Sequence, residues 1–216
     1  AISSGKGGVG KSTLAFELAL ALNDLGVKVG ILDADIHGPS MPSLLGISQH
    51  EMTSSDGQLM DPVSTMGIVA NSIGFLVEPQ NATIWRGPMA SKVLMQLYQE
   101  TKWPELDYLI VDMPPGTSDI QLTLGQSIPV TAAIVVTTPQ QLALLDARKG
   151  IAMFNKLSLP VLGIVENMSY FDCDCGARHR PFGKDGIAQL LTQCDTICLG
   201  ALPIFSDGQG RGDERY

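Results

Sequence analysis

The chain is predicted to be an α/β protein: a doubly wound, mostly parallel sheet with helices on both faces. Three observations predict this. Short apolar runs alternate with helical patterns along the 216 residues, which is how a parallel sheet covered on both sides reads in sequence. The run Gly5-Lys6-Gly7-Gly8-Val9-Gly10-Lys11-Ser12 fits G-x-x-x-x-G-K-[ST], with a strand pattern entering it and a helix pattern leaving it. Pro39, Pro42, Pro62, Pro114, Pro115, Pro139, Pro160 and Pro203 fall between elements or at their edges, where a missing N–H costs little. A single domain over 1–216 is expected, since the length suffices for one buried core and nothing reads as a linker.

Ala1–Ser4 reads as the end of a first strand. Leu14, Leu18, Leu22 and Leu25 recur at helical spacing, so a helix is expected over Ser12–Leu25, closed by Gly26. The apolar run Val27–Leu32 gives the next strand. Gln49–Gln58 is polar and aperiodic, which predicts a mobile surface loop. Further strands are expected at Ile68–Ile73, Tyr108–Val111, Ala132–Thr137, Val161–Val165 and Ile197–Leu199. Helices at Met89–Thr101, Ile120–Gln126, Leu142–Leu157 and Gly186–Thr192 separate or follow them.

The glycine-rich loop points to a nucleoside triphosphate. Its glycines let successive N–H groups face phosphate oxygens, Lys11 reaches the β- and γ-phosphates, and the Ser12 hydroxyl binds Mg²⁺. In sheets of this kind ligands lie beyond the carboxyl ends of the strands. Asp33 and Asp35 leave one such end, Asp112 leaves another ahead of Pro114-Pro115-Gly116, and Asn167 follows a third. A carboxylate after an apolar strand suits a Mg²⁺ shell, the Gly116 N–H is expected to be available to a γ-phosphate, and an Asn amide suits an adenine edge. Each residue taken singly also fits a turn or a helix cap.

Five segments carry a resemblance: Ser4–Thr13, Asp33–Ser40, Ile84-Trp85-Arg86-Gly87-Pro88-Met89, Asp112–Thr117 and Asn167-Met168-Ser169-Tyr170-Phe171. Together the chain resembles the Mrp/Nbp35 (ApbC-like) family of iron–sulfur cluster carrier ATPases. These belong to the deviant Walker A group that includes MinD, ParA and the nitrogenase iron protein. The resemblance implies that Lys6 is the signature lysine reaching the nucleotide of a second subunit. It implies nucleotide contacts for Gly5, Gly7, Gly8, Val9, Gly10, Lys11, Ser12, Thr13, Gly116 and Asn167. It further implies that Asp35 positions the hydrolytic water, and that Ser12, Asp33 and Asp112 belong to the Mg²⁺ shell. The implied function is slow ATP hydrolysis in a homodimer that binds a [4Fe-4S] cluster and passes it to apoproteins.

Four cysteines, two of them close together in Cys173-Asp174-Cys175, suit a reduced compartment with a metal or cluster role. The family carries C-x-x-C here, whereas this chain has C-x-C. In an extended segment the two thiols face one way. A [4Fe-4S] cluster takes four thiolates, so two chains would supply the set. A shared Zn²⁺ site with His179 and two plain reduced thiols are the other readings. Cys194 and Cys198 are expected to be core thiols, Trp85 and Trp103 packing residues, and His37 a surface residue. The net charge of −8 argues against nucleic acid, and no apolar run reaches the length of a membrane span. A cytoplasmic setting is expected, or a mitochondrial matrix one if a leader has been removed. A cluster-free switch that positions cargo, as MinD and ParA do, is the alternative function.

Overall fold

The structure is a computed structural model that describes residues 1–47, 52–76, 87–117, 119–184 and 186–204. In chain order its elements are β1 (Ile2–Ser4), α1 (Lys11–Asp24), β2 (Val29–Asp33), α2 (Met41–Leu44), β3 (Val63–Thr65), β4 (Ile68–Ser72) and α3 (Gly87–Gln99). There follow β5 (Tyr108–Asp112), α4 (Asp119–Ser127), β6 (Ala133–Thr137), α5 (Gln141–Lys156), β7 (Val161–Asp172), β8 (Arg178–His179), α6 (Gly186–Cys194) and β9 (Cys198–Pro203). They group into two compact units, one of residues 12–114 and one joining residues 1–11 to the described residues from Pro115 to Ile204.

In the unit of residues 12–114, β2 is the central strand. It runs parallel to β4, with Asp33 opposite Ser72, and parallel to β5, with Asp33 opposite Asp112. All five of its residues are buried, as a strand covered on both faces requires. β3 pairs antiparallel with β4 through a two-residue turn, with Met66 at φ 52° and Gly67 at φ 79°. Positive φ at both turn residues matches the right-handed twist of the flanking strands. Phe16, Leu32, Met41, Leu94 and Leu97 are among the fully buried side chains here.

The other unit is built on β6 and β7. β6 is parallel to both β1 and β7, β7 is parallel to β9, and β8 folds back antiparallel onto the end of β7. Its core brings Leu144, Ala147, Ile151 and Phe154 of α5 together with Val135, Ile164 and Leu190. The α5 residues recur at three- and four-residue steps, so one stripe of the helix is buried.

The α/β class and the mostly parallel strands are as expected. Several boundaries differ. β2 and β5 each run one residue further than expected and end on Asp33 and Asp112, because the carboxylates still lie in the pairing register. β7 does not stop at Val165; it continues to Asp172 across an irregularity between Glu166 and Tyr170, with Met168 at φ 55°. The short elements α2, β3 and β8 carry too few residues to show a period. Within the expected loop, 49–51 lie outside the described residues. The remainder is a tight turn in which the Asp56 carboxylate accepts from the Gln58 and Leu59 N–H groups, at 2.9 and 2.8 Å. Cys198 is exposed rather than a core thiol, because β9 presents it to solvent.

Candidate functional site

The glycine-rich loop lies between β1 and α1. Gly8 and Gly10 have φ of 77° and 84°, a region L side chains rarely adopt. A Cβ on Gly5 would overlap the Asp146 backbone of α5, and one on Gly10 would overlap the Asn167 amide. Glycine is therefore required at Gly5 by close approach to backbone and at Gly10 by its positive φ. Lys11 opens α1 and is buried, with Ser12 and Thr13 following in the first turn. The loop's N–H groups are thus presented at a helix N-terminus, the arrangement that favours phosphate.

Three contacts beside this loop add to or correct the sequence reading. The Lys6 ammonium donates to the Gln140 side-chain oxygen of its own chain at 3.2 Å. The Gly116 N–H donates to the Ser4 carbonyl at 2.9 Å, so it is engaged by backbone rather than available to a γ-phosphate. Asn167 lies inside β7 rather than past a strand end, and its amide donates to the Val9 carbonyl at 2.8 Å. Gln140, which closes the Lys6 contact, was not singled out from sequence. It lies just before a helix, where a polar residue attracts no notice.

In the unit of residues 12–114, Asp33 and Asp112 face each other as partners at the ends of β2 and β5, both fully buried. Asp33 accepts from the Asp35 and Met41 N–H groups, both at 3.1 Å, and from the Ser72 hydroxyl at 2.8 Å. Burial, and then the charge of Asp112, push its carboxyl from the ordinary 3.8 up to about 7, against the pull of those three donors. A pair of buried like charges is relieved by a cation, so these residues fit a Mg²⁺ shell. Asp35 is also buried, and its carboxylate accepts from the His37 N–H at 3.3 Å. The chain therefore turns after Asp33, and strand alternation does not set the direction of Asp35. Ser72 and the Met41 N–H were missed from sequence because they reach Asp33 from other elements.

The cysteine pair sits at the tip of the β7–β8 hairpin. Here the expected extended segment is replaced by a turn. The Gly176 N–H donates to the Cys173 carbonyl at 2.8 Å, and the Cys173 N–H to the Ala177 carbonyl at 2.9 Å. Gly176, at φ 81°, permits the reversal. The two thiols are nevertheless brought together. A hydrogen bond from the Cys173 side chain, then one from the Ala177 backbone, hold the Cys175 thiol below its ordinary value. The ligating atoms of Cys173, Cys175 and His179 lie within 4.8 Å of one another.

The whole-chain comparison decides the family. A model of the family described as "ParA: NUBPL iron-transfer P-loop NTPase" matches residues 1–215. The chain belongs to this NUBPL iron-transfer P-loop NTPase family. A similar curated relative is the iron-sulfur cluster carrier protein of Escherichia coli K12, 60% identical over 205 residues, or 94% of this chain and 56% of the relative. The chain thus spans a little over half the length of this relative. A nucleotide-binding protein of Archaeoglobus fulgidus, solved in complex with ADP, is 38% identical at a TM-score of 0.84, covering all of this chain and 87% of the other. The cell-division ATPase MinD of Pyrococcus furiosus, at 20% identity, aligns with a TM-score of 0.65 over 99% of this chain and 85% of its own. That likeness shows the fold alone, the P-loop NTPase fold of the MinD and ParA type. Of the residues carrying the sequence resemblance, 84–86 lie outside the described residues. Among the described residues, no helix is long and apolar enough to cross a membrane.

Proposed function

We propose that this chain is an ATP-hydrolysing iron–sulfur cluster carrier that acts as a homodimer and delivers a [4Fe-4S] cluster to apoproteins. The observation that carries the reading is the pair of adjacent thiols on an exposed hairpin in a chain that also holds a phosphate loop. The name of the Escherichia coli relative points the same way.

In this reading Lys11 and the loop N–H groups hold the phosphates, with Gly5, Gly7, Gly8, Val9 and Gly10 supplying the curl and Thr13 lying near the α-phosphate. Asn167 leaves the Val9 carbonyl to bind the adenine edge. Ser12, with Asp33 and Asp112 behind it, would hold Mg²⁺, which would supply charge neutralisation at the nucleotide's phosphates. Asp35 orients the attacking water for in-line displacement. Lys6 leaves Gln140 to meet the partner subunit's nucleotide, and its positive charge offsets the charge that develops on the leaving oxygen. Gly116 acts through its backbone contact with Ser4, shaping the loop rather than donating to phosphate.

Each chain offers Cys173 and Cys175, so the four thiolates of a cluster require two chains. Cys173→Ala and Cys175→Ala should each lose the cluster on anaerobic reconstitution while binding Mg·ATP within about twofold of wild type, since no residue of the phosphate loop is altered. Iron and sulfide analysis beside nucleotide affinity checks this. Full cluster content in either variant would reject the carrier reading and favour a cluster-free ATP-dependent switch.

A further inference from the structure

We propose that Cys173, Cys175 and His179 of a single chain form a site for one thiophilic divalent cation of the Zn²⁺ or Fe²⁺ type, bound without a second subunit. The pleat of the hairpin makes the site. Phe171 is paired with His179, and the Cys173 N–H is bonded to the Ala177 carbonyl two residues further along. Partners across an antiparallel pair share a face, as do residues two apart, so Cys173 and His179 are diagonal neighbours on one face. The turn at Gly176 then returns Cys175 toward them.

The ligating atoms all lie within 4.8 Å of one another. Two thiolates bound at about 2.3 Å to a tetrahedral ion sit about 3.8 Å apart. Closure thus needs side-chain movement of at most about 1 Å, and Cys175 and His179 are exposed and able to make it. On the opposite face side chains tie the two strands together. There the Arg178 guanidinium donates to both oxygens of Asp172, at 2.7 and 2.9 Å, and stacks 3.8 Å from the centre of the Tyr170 ring. Two sulfurs and one imidazole select Zn²⁺ or Fe²⁺ over Mg²⁺ or Ca²⁺. Binding releases the two thiol protons to solvent and leaves a fourth position for water.

The consequence for function rests on the carrier reading, in which the same cysteines take the cluster. A chain holding one ion has both thiolates occupied, so single-ion loading competes with cluster assembly until the ion is removed.

The test uses the full chain, stripped with chelator and titrated with Zn²⁺ alone, with Co²⁺ as a coloured substitute. The expected result is one ion per chain at monomer mass, with thiolate charge-transfer and tetrahedral cobalt bands. Loss of an outer hydrogen-bond partner of a metal ligand costs 10–100-fold in affinity, so His179→Ala, which removes a ligand itself, should cost at least about 100-fold. His179→Cys should keep one ion per chain. One equivalent of Zn²⁺ added before reconstitution should suppress cluster yield in wild type far more than in His179→Ala. Half an ion per chain at dimer mass, with His179→Ala binding like wild type, would overturn the proposal while leaving the carrier reading intact. One ion per chain through His179, in a protein that never loads a cluster, would sink the carrier reading and leave this site standing.

Discussion

Asp33 and Asp112 are fully buried at paired strand ends, and Asp33 is gripped by three donors. Cys175 and His179 stand exposed on a hairpin tip, and the bonds that shape that tip are backbone bonds. The carboxylate centre is hydrogen-bonded in place and electrostatically frustrated before any ligand arrives, so a cation relieves it. The cysteine hairpin has its backbone set but its ligands loose, so cargo must order the side chains. The first arrangement suits a nucleotide that turns over in a fixed geometry, and the second suits a cluster that must be given away.

If the two regions are separate in construction, damage to one should spare the other. The largest effect is expected from Lys11→Ala, which removes the buried cation of the phosphate loop. Mg·ATP affinity should fall by two orders of magnitude or more, on the order of 3 kcal/mol, with iron content after reconstitution unchanged. Isothermal titration beside iron analysis checks both halves. Loss of iron in Lys11→Ala would break the comparison.

Next in size is Asp35→Asn, which keeps shape and removes charge. Hydrolysis should drop by about 10²-fold with ATP still bound, and an ATP-bound dimer should accumulate on size exclusion. Lys6 gives a sharper variant of the same test. Lys6→Ala should bind ATP and hydrolyse it poorly, whereas Gln140→Ala frees Lys6 from its own chain and should leave hydrolysis equal to or up to severalfold above wild type. Equal turnover in wild type and Lys6→Ala would remove the lysine from the mechanism.

The frustration at Asp33 has a pH signature. Its folded value of about 7 lies above the ordinary 3.8. The fold therefore retains a proton that the unfolded chain has released between those values, and stability falls as pH rises from about 4 to about 7. Melting temperature of metal-free protein should decline by several degrees across that window, and Asp33→Asn should flatten the decline. Asp56, held down to about 2 by the Leu59 and Gln58 N–H groups, acts with the opposite sign. Its contribution is present above about 4 and is lost only as pH falls toward 2, so the two windows separate.

The smallest effect is expected from Arg178→Ala. The ion pair with Asp172 is solvent-exposed, and such pairs add little to global stability. Melting should hardly move, but amide exchange at Cys173 should quicken as the hairpin loses its brace. Unchanged exchange there would mean that the backbone turn alone holds the tip.

The same contrast explains what the sequence made legible. The phosphate loop and the Asp33 and Asp112 strand ends are encoded in contiguous residues whose spacing carries the chemistry, so fold class and these positions could be read directly. What was missed arises where chain segments meet. Ser72 reaches Asp33 across a sheet register, Gln140 meets Lys6 from another element, and the Gly116 N–H is taken by Ser4. His179 was noticed beside the cysteines, but its place depends on β8, two residues too short to show alternation. Cys-Gly followed by Arg-His was the available signal for a turn with a returning strand. The early end assigned to β7 came from Glu166 and Asn167, polar residues that close the apolar run in sequence although the pairing goes on past an irregularity at Met168.

The central claim is that one chain supplies half of a cluster site. It is tested most directly by measuring iron, sulfide and solution mass together on the anaerobically reconstituted protein. About two irons and two sulfides per chain are expected, on a particle with the mass of two chains that reverts toward one when the cluster is chelated away. A complete four-iron cluster on a particle of single-chain mass, or a dimer that never takes up iron, would contradict it.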